Sequence, residues 1–385
     1  LTKCNWSEKM LAGLIAILFL ILMPACSKDP NSIELKMGYF QTQAEAKAYV
    51  KSLSDNYIEL DKWEKRAKEV KTSVFLGADL GRTFKKYGKH PLAPIRHSKR
   101  QFDGYSVENV AIEAAPGFYV TGNLYIPAEI VDKAPVILCP HGHFDDPGNT
   151  GRMRRDMQHR CAAFAKMGDY VFAYDMLGYG DSQQLEHHKQ PRSLQIQTFS
   201  GIRVLDFMMT LDNIDPQKVA VTGASGGGTQ TILLTAIDDR ISVSAPVVMV
   251  SAHFNGGCVC ESGMPIHTSN GIETSNIEIA ALAAPRPMLL VSDGNDWTKN
   301  TPDVEYPFLK RIYALYGAES NIENVHLQNE FHDYGFSKRK AVYTFFGNHL
   351  GLDINKITNG GGMISENFVT LLNENELHVF NEKHP

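Results

Sequence analysis

A serine set among glycines, Gly223-Ala224-Ser225-Gly226-Gly227, is where nucleophilic chemistry is most readily placed in this 385-residue chain. Val219-Ala220-Val221-Thr222 before it reads as a strand, and Gly227 to Ile237 after it reads as a helix. A sharp turn between the two lifts a hydroxyl above a sheet, and glycines at 223 and 227 keep strand and helix from colliding. A serine hydroxyl is a weak nucleophile until a base takes its proton. The candidate base is His332, in Asn329-Glu330-Phe331-His332-Asp333. The carboxylate that would orient it is Asp296, in Asp293-Gly294-Asn295-Asp296-Trp297-Thr298. Asp293, nearer the end of the preceding strand, is its rival, and one of the two is expected to cap a turn instead. Acyl transfer also needs donors aimed at a developing oxyanion. The N–H of Gly226 is one candidate, and the N–H of His143 in Pro140-His141-Gly142-His143 is the other. Gly142 permits close backbone approach, and His141 either tethers this loop or touches substrate. The long stretch Ser251 to Thr274 is expected to overhang the site, with Glu261 and His267 as candidate substrate contacts.

Histidines 141, 143, 187, 188, 253 and 267 and the pair Cys258 and Cys260 raise a metal reading. The chain has no H-E-x-x-H and no spaced pair of C-x-x-C units, so no metal and no cofactor are expected. Cys258-Val259-Cys260 reads as a packed or disulfide-linked loop element. Disulfides are chemically possible outside the cytoplasm among Cys139, Cys161, Cys258 and Cys260, but spacing does not give their pairing.

The elements that must position these residues are read from periodicity. Gln41 to Val70 has helical spacing, and Gly81 to Pro94 reads as a basic linker. Tyr105 to Glu113 and Phe118 to Ile126 read as strands around an Ala115-Pro116-Gly117 turn. From Ala134 strands and helices alternate: strands at 135–139, 170–174, 218–222, 241–250, 287–292 and 324–328, helices at 152–167, 193–211, 227–237 and 341–350. That alternation predicts an α/β fold, a mostly parallel twisted sheet with helices on both faces.

At the N-terminus, Lys3 and Lys9 precede an apolar run from Leu11 to Met23 and then Pro24-Ala25-Cys26. This is the pattern of a secretory signal, too short to span a bilayer. It resembles a bacterial lipoprotein signal over 1–25, with Cys26 the lipidated residue and membrane contact only through that anchor. Residues 26–95 are then a tether and N-terminal helical extension, 96–352 the catalytic domain, and 353–385 a tail with an edge strand around Leu377 to Phe380. With 43% hydrophobic and 21% charged residues and a net charge of −5, the chain can bury a core and lacks a nucleic-acid footprint.

Val221 to Gly228, Cys139 to His143, Asp175 to Ser182 and His332-Asp333-Tyr334-Gly335 together resemble the acetyl xylan esterase and dienelactone hydrolase relatives among the α/β-hydrolases. The resemblance runs from about Tyr105 to Leu350. It implies an α/β-hydrolase fold and a serine esterase in which Ser225, Asp296 and His332 form the triad. The expected activity is removal of acyl groups, chiefly acetyl, from carbohydrate such as xylan by an exported protein. Two other readings are a prolyl-oligopeptidase-like peptidase, for which the segment before Ala134 is too short to hold a propeller, and a non-catalytic glycan-binding lipoprotein.

Overall fold

The computed structural model describes residues 35–146, 149–185 and 187–384. The expected signal segment 1–25 and the lipidation residue Cys26 lie outside the described residues. Residues 35–384 belong to one compact unit.

Two helices open it, α1 (Gln43–Asn56) and α2 (Leu60–Gly77). The first starts where Thr42 and Glu45 cap one another reciprocally, satisfying two backbone donors. Where a linker is expected, the chain forms a third helix, α3 (Leu80–Tyr87). Its Phe84 and Tyr87 rings meet Phe199 at 5.4 and 6.4 Å, while Lys85 and Lys86 lie in its last turn, where helix carbonyls favour cations. The helical spacing was masked by the glycines and lysines around it.

The strands are β1 (Ile95–Phe102), β2 (Tyr105–Ala115), β3 (Phe118–Pro127), β4 (Ala134–Cys139), β5 (Tyr170–Tyr174), β6 (Ile214–Ala224), β7 (Val243–Val247), β8 (Met288–Asp293) and β9 (Ile322–Leu327). They form a sheet in the order β1-β2-β3-β5-β4-β6-β7-β8-β9. Pairing is antiparallel from β1 through β3 to β5, and parallel from β5 onward. Sequence periodicity misses β1, whose Ile-Arg-His-Ser-Lys-Arg-Gln-Phe is a charged, largely exposed edge. Such charge is a common way to blunt a sheet edge.

The remaining helices are α4 (Arg155–Met167), α5 (Ser193–Met208), α6 (Gly226–Ile237), the one-turn α7 (Val259–Ser262), α8 (Asn276–Ala281), α9 (Glu305–Leu315), α10 (Phe336–Leu350) and the one-turn α11 (Glu374–Leu377). One face of the sheet packs α4 and α10 through Phe164, Tyr343 and Phe346. The other packs α5 through Val204, Leu205 and Phe207. Trp63, Val70 and Val74 of α2 share a core with Ile232, Ile277 and Leu290, so the N-terminal helices complete the body. Trp63 is 1% exposed, and truncating such a residue to alanine costs about 3–5 kcal/mol.

The tail is not an edge strand. From α11 to Val379, side chains satisfy its backbone. Asn109 donates to the carbonyls of Glu376 and His378, at 3.0 and 2.8 Å. Arg152 donates to that of Leu377 at 2.9 Å, and the Val379 N–H reaches Asp181 at 2.8 Å. Among the described residues, no helix is long and apolar enough to cross a membrane.

Candidate active site

Ser225 stands between the end of β6 and the start of α6 with φ 56° and ψ −123°. Positive φ is costly for a residue bearing a Cβ, and such strain is held where neighbours over-determine it. Here the Ser225 N–H donates to Val247 of β7 at 3.1 Å and its carbonyl accepts from Thr229 at 2.9 Å. The flanking glycines are steric necessities. A Cβ on Gly223 or on Gly227 would stand 2.5 Å from the carbonyl oxygen of Pro140. The loop after β4 therefore presses directly on the elbow, and a Cβ on Gly142 would lie 2.9 Å from that of Ser225. This places the backbone of residues 142–143 and the N–H of Gly226 beside Ser225.

His332 follows β9, and its Nδ1 lies 2.6 Å from Oδ2 of Asp296 in the loop after β8. The other oxygen of Asp296 accepts from the N–H and the hydroxyl of Thr298, both at 2.6 Å. Asn295 ties the two loops by donating to the carbonyl of Glu330 at 2.8 Å. Asp293 takes the turn-capping part: it accepts from the N–H of Asn295 at 3.1 Å and lies 3.3 Å from the ammonium of buried Lys338. Burial raises its pKa, and the charge of Asp296 adds to that.

Aromatic rings, which the sequence did not single out, wall this corner. Phe144, whose ring would crowd a Cβ at Gly142, also lies 5.4 Å from the imidazole of His332. Trp297 lies 4.4 Å from that imidazole and 4.9 Å from Phe254. Phe254 in turn stacks on Phe40 at 4.0 Å, nearly parallel. So Ser225 and His332 both border the Gly142–Phe144 loop. No hydrogen bond joins the two side chains; such contacts often tighten only in the reacting complex.

Three candidate substrate contacts have other occupations. His141 is buried: its Nε2 accepts the N–H of Met176 at 3.0 Å and its Nδ1 faces the carbonyl of Gly142 at 2.9 Å. It is a tether, kept neutral by burial that pushes its pKa down to about 3. His267 is buried and bonded to Asn276 at 2.9 Å, with its pKa pushed down to about 4 by burial, so it faces no substrate. Glu261 accepts the N–H groups of Gly257 and Cys258 at 3.0 and 2.9 Å and caps α7. It still borders the elbow, 3.5 Å from where a Cβ on Gly226 would be.

Cys139, Cys161, Cys258 and Cys260 are free thiols, so Cys258-Val259-Cys260 is not disulfide-linked. Of the eight histidines and cysteines weighed for a metal, His143, His188, Cys258 and Cys260 converge, their donor atoms all within 4.8 Å of one another.

A strained serine at a strand–helix turn, a carboxylate-held histidine beyond the last parallel strand and a glycine-bearing loop against that serine are the arrangement expected of an α/β-hydrolase. No protein-family model matches the chain. Among solved structures it resembles Methylesterase BT1017, with 40% identity, 90% of this chain and 76% of that one covered, and a TM-score of 0.83. It shares the fold of a glucuronoyl esterase from Solibacter usitatus at 15% identity, covering 74% of this chain and 92% of that one, TM-score 0.53. It is also 27% identical over 212 residues to the Quorum-quenching protein AidA of Acinetobacter baumannii (strain MDR-ZJ06). That match takes in 52% of this chain and 62% of the curated relative's length. The chain belongs to the α/β-hydrolase esterase family that includes Methylesterase BT1017. It is a carboxylic ester hydrolase.

Proposed function

We propose that this enzyme is a serine esterase cleaving methyl esters carried by carbohydrate, with Ser225 as nucleophile, His332 as base and Asp296 as its orienting acid. Ser225 Oγ attacks the ester carbonyl as His332 Nε2 takes its proton. The N–H groups of Gly226 and His143 hold the oxyanion. His332 then returns the proton to the leaving alkoxide, and water repeats the cycle on the acyl-enzyme. Asp296 keeps Nδ1 protonated and stabilises the imidazolium. No step calls for a cofactor.

The observations carrying the mechanism are the 2.6 Å His332–Asp296 pair and a serine held at positive φ, both bordering the Gly142–Phe144 loop. The methyl-ester preference is supported by the 40% identity to a methylesterase over 90% of the chain. Acetyl esters, the expectation from the sequence, are the second reading, since the elbow and histidine motifs resemble the acetyl xylan esterases. An exported, lipid-anchored location through Cys26 would suit a polymeric glycan substrate.

The test is a panel of methyl-esterified uronide oligosaccharides, acetylated xylo-oligosaccharides, glucuronoyl esters and peptide amides. Methanol release should dominate, and Ser225→Ala should lose at least about a thousandfold in kcat/KM while folding normally. Dominant acetate release would select the second reading. Hydrolysis of none of the esters, or full activity in Ser225→Ala, would overturn both.

A further inference from the structure

We propose that His143, His188, Cys258 and Cys260 form a zinc site of the closed, four-ligand kind, tying three loops together beside the Ser225 elbow. Two imidazoles and two thiols are a donor set that suits Zn2+. They come from the loop after β4, the segment before α5 and the start of α7. Their donor atoms lie within 4.8 Å of one another. In a tetrahedral site with Zn–S near 2.3 Å and Zn–N near 2.0–2.1 Å, ligand atoms stand roughly 3.4–3.8 Å apart. The cluster therefore reaches that geometry by side-chain adjustments of about 1 Å.

The arrangement is already partly drawn together. His143 Nε2 is 2.9 Å from Cys260 Sγ, and the His143 and His188 rings are 5.0 Å apart. The other nitrogen of His143, Nδ1, lies 3.9 Å from Oε1 of buried Glu261. A carboxylate behind the far nitrogen of a ligating imidazole is the usual means of fixing its tautomer and orientation. Glu261 is itself held by the N–H groups of Gly257 and Cys258, so the backbone bearing one thiol also positions that carboxylate. On binding, both thiols lose their protons to solvent and both imidazoles bind as neutral rings. With four protein ligands the ion has no open position, so its part is architectural. The His143 ring lies 2.8 Å from where a Cβ on Gly226 would be, and ligation would pin the loop that offers the oxyanion donor.

This inference does not rest on the esterase mechanism, and its test reads metal directly. The full chain, purified under reducing conditions with zinc present, is assayed for bound metal, and cobalt-exchanged protein is examined for thiolate-to-cobalt charge-transfer absorption. About one equivalent of zinc and that absorption are expected. Cys258→Ser and His188→Gln should each lower metal affinity at least tenfold, whereas Ser225→Ala should keep its zinc while losing hydrolysis. Because the cysteine variant could misfold, the cobalt spectrum of the unsubstituted protein decides independently. Absence of stoichiometric metal with both thiols titratable would overturn the site. So would a Cys258–Cys260 disulfide under these conditions, or a cobalt spectrum lacking the thiolate band.

Discussion

Two aspartates three residues apart have opposite surroundings. Asp296 offers one oxygen to His332 and the other to Thr298, while Asp293 faces Lys338 and its own turn. Asp296→Asn should lower kcat by about 10⁴ through the wrong imidazole tautomer, with little loss of thermal stability. Asp293→Asn should do the reverse, because it strips a buried ammonium of one partner. Measuring kcat and Tm for both variants checks the contrast; equal losses of kcat would refute it. Glu305 makes stability depend on pH. Burial raises its pKa from 4.5 to about 7, against a lowering effect from the Ala252 N–H it accepts at 2.8 Å. The folded state thus favours the neutral acid. This contribution is fully present below about pH 4.5 and is lost as pH rises through about 7. Glu305→Gln should remove that dependence and raise stability at pH 8 by up to about 3 kcal/mol. Denaturant titrations of both proteins at pH 5 and pH 8 read it, and identical pH slopes would count against it.

At the scale of elements, the elbow and the loop after β4 act as one unit. A Cβ on Gly142 would stand 2.6 Å from the Ala224 carbonyl oxygen and 2.9 Å from Ser225 Cβ. Gly142→Ala should therefore push the loop away and cost on the order of 10²–10³ in kcat, the price of a lost oxyanion donor. Steady-state kinetics with a folded variant tests it; unchanged kcat would show the loop is not against the reacting carbonyl. Much of this scale was legible beforehand. The strand–Gly-x-Ser-x-Gly–helix run and the apolar strands after Ala134 carry local signals, since buried parallel strands read as continuous apolar runs. What escaped were features with no local signal. β1 is basic because it is an edge. The tail forms no ladder because Asn109 and Arg152 satisfy its carbonyls. His143, His188 and the Cys258–Cys260 pair meet only through loops over a hundred residues apart at their extremes. The histidines 141 and 267 looked like site residues because type does not reveal burial.

At the scale of the whole molecule, the N-terminal segment is joined to the stretch between β7 and α7. Gly38 donates to the carbonyl of Gly256 and Gln41 to that of His253, each at 2.9 Å. Phe40 stacks on Phe254, which meets Trp297, which meets His332. Phe40→Ala should raise KM or lower kcat without touching any reacting group, as the ring wall loosens. Kinetics beside the intrinsic fluorescence of Trp297 would follow both effects, and native values for both would dismiss the coupling. The practical consequence concerns how the enzyme is trimmed. A version begun at the first helix would look conservative, since every catalytic group and every strand is retained. It would nevertheless discard the outermost ring of a four-ring column whose innermost member is the proposed base, His332. Where a leader is cut, or a tag is fused, thus becomes a setting on the catalyst itself.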